Sequence, residues 1–457
     1  MYRIKQLILA IGDLITLYLG LVVAVVLRSA TFRNNELNTL VPPMTLLFFW
    51  AIALLFIIGL YDLAQTKNTW RFYKKIIITS LLWLLSGIIY FYLDIRLRVA
   101  PKTILLLTAL AGFGLIAAWR SLHNTFLSTV IWKTRLIFAG LSSEALELIT
   151  LIKNEPQRGF EVAGIIRAGG NGVATTTDLP LISTESLAST MKREGVRGIV
   201  VAPELAAYQP FLTAVYKNIA EQPDIIPLAQ LYEELTGRIP PFTFSESWFL
   251  LNLHEQQKKI YDRLRILIDY LIALVMGLFF IITFPLVALT IRLNSPGPVF
   301  FHQPRIGRRG KTFTIHKYRS MKALGQDGSA ELEGPKYAQA GDPRVTIIGR
   351  ALRRARLDEL PQFWNILRGE MAFVGPRPER PEFVAKLAEV MPFYNLRHLV
   401  KPGITGWAQL HESYYGTIEE NLRKLQYDLF YIKNRGLLLD FNILLKTIPI
   451  ITRLMGR

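Results

Sequence analysis

A chain of 457 residues is long enough for about three domains and a sizeable core. Its 51% hydrophobic residues, 19% charged residues and mean hydropathy of +0.29 put apolar surface against something other than water, and exclude disorder, collagen and small secreted scaffolds. A net charge of +18 favours phosphates and anionic surfaces, while zero Cys and six His exclude disulfides, thiolate catalysis and zinc-thiolate sites, leaving carboxylates, bases and a hard metal ion.

The run Lys5 to Arg28 has the length to cross about 30 Å of hydrocarbon. Leu40 to Tyr61, Ile76 to Tyr92 and Thr103 to Trp119 repeat the pattern, giving four expected spans in residues 1–122. No small-residue cleavage site follows the first run, so it reads as a span rather than a signal peptide. With the N-terminus inside, the inner flanks hold nine cations (Arg3, Lys5, Lys67, Arg71, Lys74, Lys75, Arg120, Lys133, Arg135) and the outer flanks five (Arg28, Arg33, Arg96, Arg98, Lys102). That bias places the chain after Arg120 in the cytoplasm.

From Thr134 the text alternates. TRLIFAG reads as a strand, Ser142 or Ser143 can cap a helix over EALELITLIKN, and FEVAGII and GIVVAPE read as further strands. Residues 133–250 are therefore expected to form a Rossmann-like α/β module. Its first turn, GLSSEAL, lacks the G-x-G-x-x-G that lets a pyrophosphate approach the backbone, so a structural or regulatory role without a dinucleotide is expected.

Arg265 to Leu293 is a fifth apolar run, interrupted by Pro285. A fifth crossing would put Asn294 to Arg457 outside, although that segment holds 26 Lys and Arg against 15 Asp and Glu. A helix over 258–293 that breaks at Pro285 and returns to the same face keeps this cationic segment on the inner leaflet.

Three clusters in the last 165 residues carry chemistry. Pro304 to Lys322 has seven cations and no acid; Lys317 and Arg319 alternate as on a strand and can share a face toward a diphosphate. In LDELPQFWNILRGEMAFVGPRP, Asp358 and Glu359 are adjacent, Pro361 suits the first position of a helix and Gly369 its end. Phosphate is favoured at such an N-terminus, and Arg350, Arg353, Arg354 and Arg356 stand just upstream. One carboxylate there can attack phosphorus while magnesium quenches the repulsion between anions. KPGITGWAQL, opening at Lys401, reads by itself as a turn.

HKYRSM, the LDELP…GPRP stretch and KPGITGWAQ, in this order after a Pro-containing apolar helix, resemble the bacterial sugar transferases, the monotopic polyprenyl-phosphate phosphoglycosyl transferases. Four spans and a Rossmann-like module resemble the large members of that family. The resemblance implies a membrane protein with an α-helical transmembrane bundle, an α/β cytoplasmic domain, and a mainly helical membrane-associated catalytic domain (294–457) with a re-entrant helix. It implies Asp358 as nucleophile, Glu359 as its assistant with Mg2+ or in acid-base steps, and a UDP-sugar and undecaprenyl phosphate as substrates. UMP would be released and a phosphosugar carried on Asp358, as the first membrane step of exopolysaccharide, capsule or O-antigen synthesis at the bacterial inner membrane. Lys317, Arg319, Arg353, Arg377 and Lys401 are the expected phosphate ligands, with Asp342 and Asp428 as supporting acids. By analogy the sugar is glucose or galactose. Anionic lipid is an expected partner and a homodimer the candidate assembly, with no nucleic acid. Where small relatives carry Ser-Pro at the membrane break, this chain has Phe284-Pro285. The rival classes are a non-catalytic scaffold of polysaccharide assembly and a membrane-anchored nucleotide-sugar dehydratase, the second opposed by the missing glycine motif and a missing Tyr-x-x-x-Lys pair.

Overall fold

In lipid a backbone must satisfy its own hydrogen bonds, so apolar runs of spanning length become helices. The computed structural model describes residues 2–29, 34–62, 68–93, 102–125, 133–167, 179–217, 223–253, 258–325, 330, 342–411 and 417–452. Helices α1 (Tyr2–Ser29), α2 (Asn34–Ile57), α3 (Trp70–Leu93) and α4 (Lys102–Leu122) follow the four expected runs. The last two outrun their apolar stretches because helix-compatible residues such as Lys74, Lys75 and Arg120 extend them. These four and one later helix are long and apolar enough to cross a membrane. Leu17, Met44, Phe48, Trp83 and Phe113 fill the bundle core. Within it Arg120 donates to Asp13 at 3.0 and 2.5 Å and Tyr61 donates to Asp13 at 2.7 Å, so neither buried charge is left uncompensated.

The alternating text folds as β1 (Thr134–Ala139), α5 (Ser143–Asn154), β2 (Phe160–Ile166), α6 (Leu187–Glu194), β3 (Gly198–Val201), α7 (Pro203–Ala206), α8 (Gln209–Lys217), β4 (Asp224–Pro227) and α9 (Leu228–Thr236). The four strands are parallel in the order β2-β1-β3-β4, an α/β arrangement, and Ser142 caps α5 by accepting from the Ala145 amide. The chain divides into two compact units after Leu235. Residues 236–250, read from sequence as part of the α/β module, pack in the second unit instead. Ile239 and Phe249 share a core there with Val374, Tyr394 and Leu429.

The second unit holds α10 (Glu246–Asn252), α11 (Lys259–Asn294), β5 (Phe300–Ile306), β6 (Thr312–Tyr318), α12 (Ile347–Arg354), a 3-10 turn (Leu357–Gln362) and α13 (Phe363–Leu367). It continues through β7 (Ala372–Val374), α14 (Pro381–Val390), a second 3-10 turn (Tyr394–Leu399), β8 (Gly403–Thr405), α15 (Trp407–His411), α16 (Ile418–Asn434) and α17 (Leu437–Thr452). β5 and β6 form an antiparallel hairpin; β7 and β8 are a parallel pair. That second pair explains the glycines of two motifs. A Cβ on Gly403 would lie 2.1 Å from the Gly375 nitrogen, so the KPGITG and VGPRP backbones meet with no room for a side chain.

The expected interruption at Pro285 is not there: α11 is one run of 36 residues, about 54 Å at 1.5 Å per residue. Proline removes one helical hydrogen bond, and packing on both sides of it outweighs that loss. Phe280 and Phe284 stack on Phe300, itself stacked on Tyr318. The contacts run the whole helix. Tyr261 donates to Asp440 at 2.6 Å, Asp269 accepts from the Phe373 amide at 2.9 Å, and Ala273 packs with Ile315 and Ile366. Gly277 lies under Phe363, Val287 and Ile291 meet Leu352 and Leu360, and Asn294 accepts from the Ile348 amide at 3.4 Å.

Candidate active site

β6 runs beside the 3-10 turn that carries Asp358 and Glu359, both buried. The turn starts at Arg356, held in the left-handed region (φ 56°), and contains Pro361, which therefore sits inside a 3-10 turn rather than at the first position of an α-helix. The helix that follows, α13, has only five residues. Too short to contribute much dipole, it leaves the attraction for anions to side chains.

Those side chains are arranged around Glu359. Lys317 donates to its Oε1 at 2.8 Å and Arg377, from the loop after β7, donates to the same oxygen at 2.9 Å. Arg356 stands 3.7 Å from Oε2. Burial alone would raise the Glu359 carboxyl, but the charges of Lys317, Arg377 and Arg356 hold it well below the usual range. Burial also presses the Lys317 ammonium down, against Glu359. Asp358 differs. Among the described residues none donates a hydrogen bond to its carboxylate, and burial followed by repulsion from Glu359 pushes it up to about 6. Arg353 bonds Ser320 Oγ at 2.8 Å and counts Asp358 among the charges acting on it. The adjacent acids are thus divided: Glu359 is a clamped anion, and Asp358 is a buried, unclaimed carboxylate, ionised near neutral pH and available to attack.

A cavity of about 460 Å³ reaches Glu359 of this pair. Leu271, Ile272, Val275 and Met276 of α11 wall one side, Phe373 and Ile404 another, and Arg356 and Glu359 form its charged end. Apolar walls with charge at one end suit a ligand with an apolar chain and an anionic head.

Residues 260–453 match the family described as bacterial sugar transferase. This segment is a bacterial sugar transferase domain. The chain is 40% identical over 48% of its length to the UDP-N-acetylgalactosamine-undecaprenyl-phosphate N-acetylgalactosaminephosphotransferase of Aeromonas hydrophila, covering 50% of that protein. It is 33% identical over 68% of its length to the undecaprenyl-phosphate glucose phosphotransferase of Komagataeibacter xylinus, covering 57% of it. It is 28% identical over 96% of its length to the UDP-glucose:undecaprenyl-phosphate glucose-1-phosphate transferase of Klebsiella pneumoniae, covering 93% of it. The chain thus spans about half the length of the first two relatives, and nearly all of the third.

Within the sugar transferase domain, Lys317, Arg353 and Arg377 gather at the dyad and two other expected phosphate ligands do not. Strand β6 ends at Tyr318, so the alternation stops before Arg319; that side chain is buried and donates to the carbonyls of Ser295 and Pro296. Lys401 lies near Gly369, with Asp269, Arg265 and Arg308 as the charges acting on it after burial, which lowers it. Asp342 is held by Arg344 through contacts of 2.9 and 2.6 Å and stays below the usual carboxylate range because of them. Asp428 acts through a relay. It accepts from Arg397 at 3.1 and 2.9 Å, and Arg397 donates to the Arg377 carbonyl at 2.9 Å, fixing the loop whose guanidinium reaches Glu359. Beside it Glu379 pairs with Lys424; burial works against that carboxylate, yet Lys424, Arg397 and Arg305 hold it at about 2.

Sequence reading missed Arg397, Glu379 and Lys424. Arg397 and Asp428 are 31 residues apart with no local pattern joining them. The one available signal was Glu379, an acid set between Arg377 and Arg380.

Proposed function

We propose that the protein transfers a hexose 1-phosphate from a UDP-sugar to undecaprenyl phosphate, releasing UMP, at the cytoplasmic face of a bacterial inner membrane. The observation that carries this reading is the division of labour in the dyad: a buried Asp358 carboxylate with no partner among the described residues, beside a Glu359 held by three cations, at the charged end of an apolar cavity.

In the first step an Asp358 oxygen attacks the β-phosphorus. The bond from that phosphorus to the bridging oxygen breaks, UMP leaves with the oxygen, and the phosphosugar is carried on the carboxylate. An oxygen of undecaprenyl phosphate then attacks the same phosphorus, the Asp358 bond breaks, and the carboxylate is restored as the lipid diphosphate sugar departs. Lys317, Arg353 and Arg377 meet the charge of the diphosphate, and Glu359 keeps Lys317 and Arg377 in place between turnovers. The donor set also fits Mg2+, which takes one or two carboxylates together with substrate phosphates: Asp358 has the free oxygens and Glu359 the neighbouring ones. When bound it would neutralise diphosphate charge. Purified protein given undecaprenyl phosphate and a panel of UDP-glucose, UDP-galactose and UDP-N-acetylgalactosamine is expected to release UMP from one of them and to stop in excess chelator. No UMP from any donor would refute the function, and full activity with chelator would remove the metal.

A same-side catalytic domain is part of this proposal. α11 touches its own domain from Tyr261 to Asn294, so a perpendicular crossing would drag Asp269 and Lys317 with their neighbours to bilayer depth. A helix that stays continuous but bends at Pro285, so that both of its ends remain at one leaflet, avoids that. Single cysteines at exposed Thr150 and Glu389, in a chain without any of its own, are expected to resist an impermeant thiol reagent in spheroplasts and to label after lysis. Labelling of Glu389→Cys alone from outside would mean that α11 crosses.

A further inference from the structure

The cations around Glu359 fall into two sets. Lys317 and Arg377 share Oε1, while Arg356 stands at Oε2. Among the described residues lining the apolar cavity Arg356 is the one cation; Lys317, Arg353 and Arg377 do not line it. Its 3.7 Å approach to Glu359 is an ion pair too long for a hydrogen bond, and among the described residues its guanidinium has no hydrogen-bond acceptor, so its donors are open to a ligand. Its backbone, at φ 56°, occupies a region uncommon outside Gly, Asn and Asp, so the turn imposes a conformation that this residue type disfavours.

We infer that Arg356 seats the phosphate of the lipid acceptor, with the isoprenoid chain in the cavity along Leu271, Val275 and Met276, while Lys317 and Arg377 serve the sugar donor. This rests on the two-step transfer proposed above. The acceptor phosphate reaches the phosphosugar on Asp358 from the α11 side, and UMP leaves from the other. Two cation sets let the substrates use one nucleophile without competing for the same guanidinium.

The two half-reactions separate this role from a general one. In full-length protein, R356N removes the charge and suits the left-handed backbone, so it isolates the side chain. The UMP burst with UDP-sugar alone, which proceeds without one of the three charges around Glu359, should keep its amplitude and slow only a few-fold. Discharge onto undecaprenyl phosphate should slow, or the acceptor KM rise, by about ten- to hundredfold, the range for a charged hydrogen bond to phosphate. R356K should restore a large part of it. An equal loss of the burst, or an unaltered acceptor step, overturns the assignment. Phosphatidylglycerol vesicles and inorganic phosphate are the control arms, and neither should slow discharge. If phosphatidylglycerol slows it in the wild type and not in R356N, the cavity takes ordinary phospholipid and the assignment is wrong. A wild-type protein that gives no burst refutes the two-step reading itself.

Discussion

Asp358→Asn is expected to abolish UMP release while making the second unit harder to unfold. Loss of turnover follows from chemistry, an amide being a far weaker nucleophile toward phosphorus than a carboxylate. The gain in stability follows from the environment of the group. Folded, the carboxyl is raised to about 6 by burial and by Glu359, against about 3.9 for an exposed Asp. The folded state therefore binds more protons, so the stability contributed by the neutral form is complete below about pH 3.9 and lost as pH rises through about 6. At neutral pH the ionised group works against the fold by on the order of 2–3 kcal/mol, which the neutral Asn relieves. Thermal unfolding in detergent should show Asp358→Asn ahead of the wild type near neutral pH, with the margin shrinking in acid. Wild-type turnover should fall as pH drops through about 6, since a protonated Asp358 cannot attack. Retained turnover in the variant would end the nucleophile assignment.

Arg397→Leu should cost about 3–5 kcal/mol of stability, because it strands Asp428, buried and charged, without its partner. Activity should fall further than stability explains. Arg397 also holds the Arg377 carbonyl, and a loosened loop takes Arg377 away from Glu359. The double variant Arg397→Leu with Asp428→Leu separates the two effects: most of the thermal stability should return and the activity should not. If both return together, the pair serves the fold alone.

The four N-terminal helices were legible because lipid imposes length and apolarity on any segment that crosses it, and little else produces those runs. The dyad and the Lys317 and Arg377 motifs were legible as residue strings, and the glycine contact between β7 and β8 shows why two of those strings occur together. Arg319 was misread because strand alternation was carried one residue past the end of β6. Pro285 was read as a break because local propensity weighs a proline against its own helix, whereas Phe280 and Phe284 are held by Phe300 from another element. Residues 236–250 went to the wrong unit because apolar spacing shows that a residue is buried, not which core buries it. The Asp428–Arg397–Arg377 relay lay beyond reach for a similar reason: each residue is ordinary in its own neighbourhood, and the meaning lies in the contact.

The end-to-end packing of α11 makes the membrane segment an internal beam of the enzyme rather than a tether to it. A tether can be cut and the enzyme still works in solution. Here a chain beginning after Asn294 would lose Ala273, Val287 and Ile291 from cores they share with Ile315, Ile366, Leu352 and Leu360, the last of these one residue from Glu359. A wall of the cavity would go with them. Such a truncated chain is therefore expected to lose activity together with its apolar helix, rather than to yield a working soluble enzyme.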